Sequence, residues 1–320
     1  MYAVPSNVAA AILAALRRRA GRVVHPAYQG GGPHPSIGLG FPLDPVIKAV
    51  PDGDLRLDPR DRLNQICDIS DWRIGPLLDK IRELNEPPRV HRKAWELAKC
   101  LLGLESLGAV REDAQGVSVG AGAETALFYL ANKVGRMVAT DLYESETEQW
   151  ESEADHWGWG SDFLRNPAKY AAIPYREDHL EVLNMSGLNL RFDDNVFDFA
   201  YTLSSIEHFG GHEAARESVR EMARVVKPGG IVCVVTELQL DTGPKAGDPF
   251  TFAELQEYIV QGNGLDLVEP EIDLRISESL LVHPVRHLIE PDSVSPHIVL
   301  SGWSGIPAVW TSIILFFIKK

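Results

Sequence analysis

Cysteine is scarce in this chain, with three in 320 residues, at Cys67, Cys100 and Cys233. They are odd in number, far apart and form no C-x-x-C, which excludes a disulfide framework and a cysteine zinc site and sets the expectation of a reducing cytoplasm. Positive charge is also short. Lys and Arg total 31 against 45 Asp and Glu, a formal net charge of -14, and such a field repels a phosphate backbone and argues against a nucleic-acid partner. No apolar run approaches the roughly 20 residues that span a bilayer, so no membrane partner is expected. The C-terminal "AVWTSIILFFIKK" is crowded instead with β-branched and aromatic residues and predicts a buried strand. The N-terminal "NVAAAILAALRRRAGR" carries its arginines after the apolar run, the reverse of a secretory signal, and predicts an amphipathic helix. No internal repeat is present. The basic clusters "RRRAGR" and "RVHRK" predict solvated helix faces.

The texture changes along the chain. From about Val24 to Asp61 the sequence is rich in Gly and Pro ("HPAYQGGGPHPSIGLGFPLDP"), which breaks periodic structure and predicts an irregular arm. Then "IGPLLDKIREL" and "RKAWELAKCLLGLESLG" place apolar residues at helical spacing on either side of the breaker "NEPPR". We therefore expect residues 1–107 to form an N-terminal helical and irregular extension and residues 108–320 a single domain. In that domain strand-like runs alternate with helix-like ones, the pattern of an α/β fold with a parallel sheet. The predicted strands are "GVSVG", "RMVATDL", "LEVLNM", "FDFAYTL", "GIVCVVTEL", "LDLVEPEIDLRI" and "TSIILFFIK"; the predicted helices are "ETALFYLANKV", "HEAARESVREMARVV" and "TFAELQEYIVQG".

The first strand runs into Gly120-Ala121-Gly122 and then a helix. Glycines there let the backbone approach a ligand, and the helix start offers free N–H groups. A dinucleotide fingerprint would need G-x-G-x-x-G/A, but its fifth and sixth positions here are Glu124 and Thr125. A carboxylate at Glu124 repels a pyrophosphate and attracts a cationic amino acid or a sulfonium, which argues against a nicotinamide dinucleotide. Asp141 ends the next strand about 20 residues on, where an acid can accept hydrogen bonds from ribose hydroxyls.

The second half carries "LEVLNMSGLNLRFDDNVFDFAYTLSSIEHFGG" followed by "EMARVVKPGGIVCVVTEL". These blocks, in this order after the glycine turn, resemble the class I S-adenosylmethionine-dependent methyltransferases (the type 11 branch), over roughly Gly116 to Leu238. The resemblance implies a Rossmann-like, doubly wound, seven-stranded and mostly parallel sheet with an antiparallel last strand. It implies S-adenosyl-L-methionine as cofactor, with Gly120, Ala121, Gly122 and Glu124 at the turn and Asp141 on the ribose. Leu142, Met185 and Ser186 would lie beside the adenine, and Leu203 and Ser204 near the methionine part. The chain departs from the family pattern where Ser118 and Ser186 replace acids and where Glu124 replaces a third glycine. Of "KPGG", Pro228 is expected to stop the helix and the glycine pair to turn the chain into the next strand.

Methyl transfer to a hydroxyl needs a base, and "SSIEHFGG" leaves the fourth strand at the carboxyl edge where ligands of open α/β sheets bind. His208 is the candidate base and Glu207 its orienting partner, with a hydrogen-bonded loop histidine as the bland alternative. Glu237 and Glu207, with His208 or Asp241, could instead hold a divalent cation. The segment from Glu144 to Asp178, with Trp150, Trp157, Trp159, Tyr170 and Tyr175, reads as a substrate lid or as an extra packing helix. Arg92 could reach the cofactor carboxylate, although a solvated helix face is the stronger expectation. His283 and His287 are expected to be structural. The expected activity is methylation of a small-molecule hydroxyl, on a saccharide or secondary metabolite, by a monomer or a homo-oligomer. Beside it stand a nicotinamide-dependent oxidoreductase and a methyltransferase-like protein that binds the cofactor without turnover, and methylation of an amine or of a protein stays open as well.

Overall fold

The computed structural model describes residues 46–52, 62–144, 160–242, 248–287, 290–291, 293–302 and 308–320. The predicted N-terminal helix and most of the Gly- and Pro-rich arm lie outside these residues. In chain order the strands are β1 (Lys48–Val50), β2 (Gln65–Ile66), β3 (Gln115–Val119), β4 (Arg136–Asp141), β5 (Leu180–Asn184), β6 (Phe197–Leu203), β7 (Val226–Gln239), β8 (Leu265–Leu267), β9 (Arg275–Ser277), β10 (Val285–Arg286), β11 (Leu300–Ser301) and β12 (Val309–Lys319). The helices are α1 (Gly75–Glu83), α2 (Arg92–Ser106), α3 (Thr125–Ala131), α4 (Gly160–Arg165), α5 (His212–Val225), α6 (Phe252–Glu254) and α7 (Glu278–Val282). A π-helical turn, Leu255–Val260, continues α6.

The main sheet runs β5-β4-β3-β6-β7-β12, then β11 and β10. Pairings from β5 through to β7 are parallel and β12 is antiparallel to β7, in register from Trp310↔Gln239 to Ile318↔Ile231. On its other edge β12 holds three short strands in series, β11, β2 and β8, all antiparallel to it. The seven expected strands are present, but the sixth is much shorter than expected. Within "LDLVEPEIDLRI" only Leu265–Leu267 pairs with β12, whereas Arg275–Ser277 pairs with β1 in a separate two-stranded sheet. Pro270, between them, has no N–H to give a ladder.

Every residue of β6 is buried, because helices cover both faces of a parallel sheet. On α5 the buried residues Ala215, Ser218, Val219, Met222 and Ala223 recur at helical spacing and face the sheet. The α2 helix is more deeply sunk, with Trp95, Ala98, Cys100, Leu101 and Leu104 fully buried in the single large core.

The "KPGG" block does not stop a helix. α5 ends at Val225, three residues before Pro228, and the block lies within β7, where the pairing with β6 shifts register between Phe197 and Phe199. Gly229 takes φ +78° and a Cβ on Gly230 would lie 2.6 Å from the Asp198 carbonyl oxygen, so both positions of this bulge need glycine. Asp198 then fastens the start of β6 to its neighbours, accepting from the Gln115 N–H at 2.8 Å and the Lys227 ammonium at 3.0 Å.

Candidate functional site

The chain leaves β3 through a turn that only glycine accommodates easily. Gly120 has φ +67° and Gly122 φ +49°. The N–H groups of Gly120 and Ala121 both donate to the Thr140 carbonyl, at 2.9 and 3.1 Å, which pins the turn to the end of β4. The next residue of that strand, Asp141, completes the attachment. Its Oδ2 accepts from the Gly122 N–H at 2.8 Å and its Oδ1 from the Leu142 N–H at 2.7 Å. Burial pushes the Asp141 carboxyl upward, and these two backbone donors oppose the shift. Each carboxylate oxygen has a second lone pair, so the same group can hold the turn and still accept from ligand hydroxyls.

Around this turn the structure gathers most of the residues expected at a cofactor. Leu142 is 38% exposed, unusual for a leucine in this protein and fit for a flat apolar ligand face. The Met185 N–H donates to the Asp141 carbonyl at 2.9 Å, which joins the ends of β4 and β5. Ser205 reaches across from the end of β6, its hydroxyl donating to the Gly120 carbonyl at 2.7 Å. Ser204 has φ +48°, a rare conformation for serine, and its buried hydroxyl has no hydrogen-bond partner. Ser186 differs: its hydroxyl accepts from the Leu188 N–H at 3.2 Å within its own turn.

Glu124 departs from the sequence argument in its burial. Burial drives its carboxyl well above the usual carboxylate range; Lys93 and Tyr201 oppose this, and Asp141 and Glu96 reinforce it. Its Oε2 is buried without a hydrogen-bond partner. Orphaned polar atoms on Glu124 and Ser204 flanking a glycine turn are what a site for a polar, amino-acid-bearing nucleoside requires, and the residues present fit S-adenosylmethionine.

The base candidates sit one turn further along, in the 3-10 segment Ile206–His208. Glu207 does not orient His208 by a hydrogen bond. The Glu207 Oε2 accepts from the Thr236 hydroxyl at 3.0 Å, whereas His208 Nδ1 lies 3.1 Å from Asp248 Oδ2, a partner that sequence reasoning missed because it lies 40 residues away in a loop. Burial lowers the His208 pKa, but the Asp248 hydrogen bond and the Glu207, Asp248 and Glu237 charges outweigh it and the value is raised. Burial and then the Glu237 charge push Glu207 up to about 7, against the pull of His208 and Lys93.

Arg92 overturns the expectation of a solvated helix face. It is buried at the start of α2, with Nη2 2.6 Å from Glu237 Oε1 and Nη1 3.1 Å from Glu96 Oε1. Lys93 also reaches Glu96, at 3.1 Å, and the Ser312 hydroxyl of β12 donates to the same carboxylate. The divalent-cation set fails at the same place. Glu237 is held by Arg92, and Asp241 accepts from the Val309 N–H and from the Gln239 side chain. Among the described residues no three His, Cys, Asp or Glu side chains converge as metal ligands.

Trp150, Trp157 and Trp159 lie outside the described residues. Tyr170 packs on Phe163 and Tyr175 on Phe128, at centroid distances of 5.4 and 4.9 Å, so the described part of the segment is held to α3 and the body by its rings. His287 stacks edge-on against Trp310 and His283 caps α7; neither meets the glycine turn's residues by a hydrogen bond. Among the described residues no helix is long and apolar enough to cross a membrane.

Residues 117–234 match the family described as a methyltransferase domain. No curated protein matches the chain. Among solved structures it is similar to geranyl diphosphate C-methyltransferase from Streptomyces coelicolor A3(2), with 14% identity over 70% of this chain and 76% of that one at a TM-score of 0.45. It is also similar to a SAM-dependent methyltransferase from Aquifex aeolicus, with 17% identity over 76% and 98% of the two chains at 0.39. A third is the [4+2]-cyclase SpnF, with 14% identity over 80% and 98% at 0.42. From β3 into β7, residues 117–234 are thus similar to the methyltransferase-domain family.

Proposed function

We propose that the protein methylates a hydroxyl group of a small molecule, a saccharide or a secondary metabolite. The observation that carries this reading is the pair Glu207 and His208 at the carboxyl edge of β6, one turn beyond Ser205 and its bond to Gly120. When bound, S-adenosylmethionine supplies an electrophilic methyl on a sulfonium. The residues of the chain then have two tasks, to align the acceptor oxygen and to take its proton. Asp141 and the glycine turn would hold the ribose side, Leu142 and Met185 the adenine faces, and Ser204 and Glu124 the amino-acid end. A neutral amine already presents a lone pair, whereas a hydroxyl needs a proton acceptor, and two titratable groups placed here suit the hydroxyl.

Calorimetric binding of S-adenosylmethionine and S-adenosylhomocysteine to the wild type and to Asp141→Ala tests the cofactor assignment, with NAD as the counter-ligand. Methyl-tritiated cofactor incubated with panels of sugars, phenols and amines tests the acceptor. Label on hydroxyl compounds and none on amines supports the reading; label on amines alone replaces it, and binding without transfer to any panel favours a cofactor-binding protein without turnover.

A further inference from the structure

The ion pairs around Arg92 leave one buried acid unserved. Three carboxyls, Glu96, Glu207 and Glu237, converge where α2 meets the ends of β6 and β7, and two cations, Arg92 and Lys93, face them. Arg92 binds Glu96 and Glu237, and Lys93 binds Glu96. His208 is committed to Asp248. Glu207, only 5% exposed, has the Thr236 hydroxyl on Oε2 and nothing on Oε1. Among the described residues the cluster is one positive charge short, and a buried carboxyl in that position resolves the shortage with a proton or with an arriving cation.

We propose that Glu207, and not His208, accepts the proton of the acceptor; that it holds a proton in reserve until the positively charged cofactor arrives; and that Arg92 is its positioning residue, acting through Glu237. This rests on the methyltransferase reading above. In the step itself the acceptor O–H breaks, its proton passes to Glu207 Oε1, and the oxygen's electron pair forms the new C–O bond while the pair of the broken S–C bond stays on sulfur. His208, paired with Asp248 and therefore biased toward its protonated form, is the poorer acceptor.

The test needs no acceptor. S-adenosylmethionine and S-adenosylhomocysteine differ by the methyl and its positive charge, so only the first should expel the reserve proton. Titrating each into the wild type at pH 7, in two buffers of different ionisation enthalpy, counts the protons released. A group titrating at about 7 is half protonated there, so the expected excess for S-adenosylmethionine is about half a proton. In Glu207→Gln both ligands should still bind and the excess should vanish; in His208→Gln it should persist. In Arg92→Lys the pH midpoint of the release should move upward, because Glu237 is less fully neutralised. Equal release for the two ligands in the wild type, or an excess surviving in Glu207→Gln, overturns the assignment of Glu207. An unmoved midpoint in Arg92→Lys overturns that of Arg92. Failure of both sulfur ligands to bind overturns the cofactor reading itself, which keeps the two failures distinct.

Discussion

Replacing Gly120 by alanine should damage both the fold and the proposed cofactor turn, by amounts that a matched control can separate. Its φ of +67° is left-handed, which costs an L-residue about 1–2 kcal/mol. The added Cβ would also lie 2.6 Å from Ser205 Cβ and 2.9 Å from Phe209 Cζ, and overpacking of that kind costs about 1–3 kcal/mol. The sum, roughly 2–5 kcal/mol, is a large part of the ~5–15 kcal/mol that holds a typical protein folded. Gly108 isolates the two contributions. It has φ +68° but open space where a Cβ would go, so Gly108→Ala bears the backbone strain alone. Urea unfolding followed by circular dichroism should place Gly120→Ala below Gly108→Ala by the overpacking cost of about 1–3 kcal/mol. S-adenosylhomocysteine should bind Gly108→Ala as it binds the wild type, and Gly120→Ala about tenfold or more weakly, since about 1.4 kcal/mol of displaced turn is enough. Equal stabilities in the two variants, or unaltered affinity in Gly120→Ala, would refute the claim that Ser205 and Phe209 pack the glycine turn tightly.

Further consequences follow from the titrating groups. Glu207 has its folded pKa raised from 4.5 to about 7, so its contribution to stability is full below pH 4.5 and is lost as pH rises through 7, by roughly 3 kcal/mol. The urea midpoint of Glu207→Gln should therefore gain on that of the wild type between pH 4.5 and 8; parallel pH curves would contradict this. Asp248→Asn should lower the His208 pKa, measured by NMR of the imidazole protons, and should remove stability that the wild type has below pH 6.5 and loses as pH rises through the raised value. Lys80, buried against Glu83, Glu105 and the Tyr129 hydroxyl at 2.6–2.9 Å, should cost about 1–3 kcal/mol when changed to Met, because the Tyr129 and Glu105 groups lose a buried donor. Thermal melts of the single variant and of Lys80→Arg would check it.

The parts of the fold set by local periodicity were legible. "IGPLLDKIREL" and "RKAWELAKCLLGLESLG" became α1 and α2, and the all-buried β6 was visible as the unbroken run "FDFAYTL". What escaped was set by pairing at a distance. Two-residue strands such as β2 have no period to detect, and β8 and β9 read as one strand because apolar residues interspersed with charged ones run from Leu265 to Ile276. At the site, the glycine turn and Asp141 could be found from spacing, since they act within one strand-turn-helix unit. Arg92 could not: an arginine at the start of a helix looks solvated until Glu237, remote in sequence, is brought beside it. For the same reason the upward push on the Glu124 carboxyl was hidden, because it comes from burial and not from residue type.

The position of β12 bears on how the protein folds. It completes β7 along nine paired residues and carries β11, β2 and β8 on its outer edge, joining segments from opposite ends of the described chain. Contacts so distant in sequence must close large loops before they contribute, which slows folding. Until residues 309–319 dock, the hydrophobic β7 presents an open edge on which another copy's strand can pair. The yield of refolded monomer at rising protein concentration, more than the melting temperature, is where a weakened β12 would show.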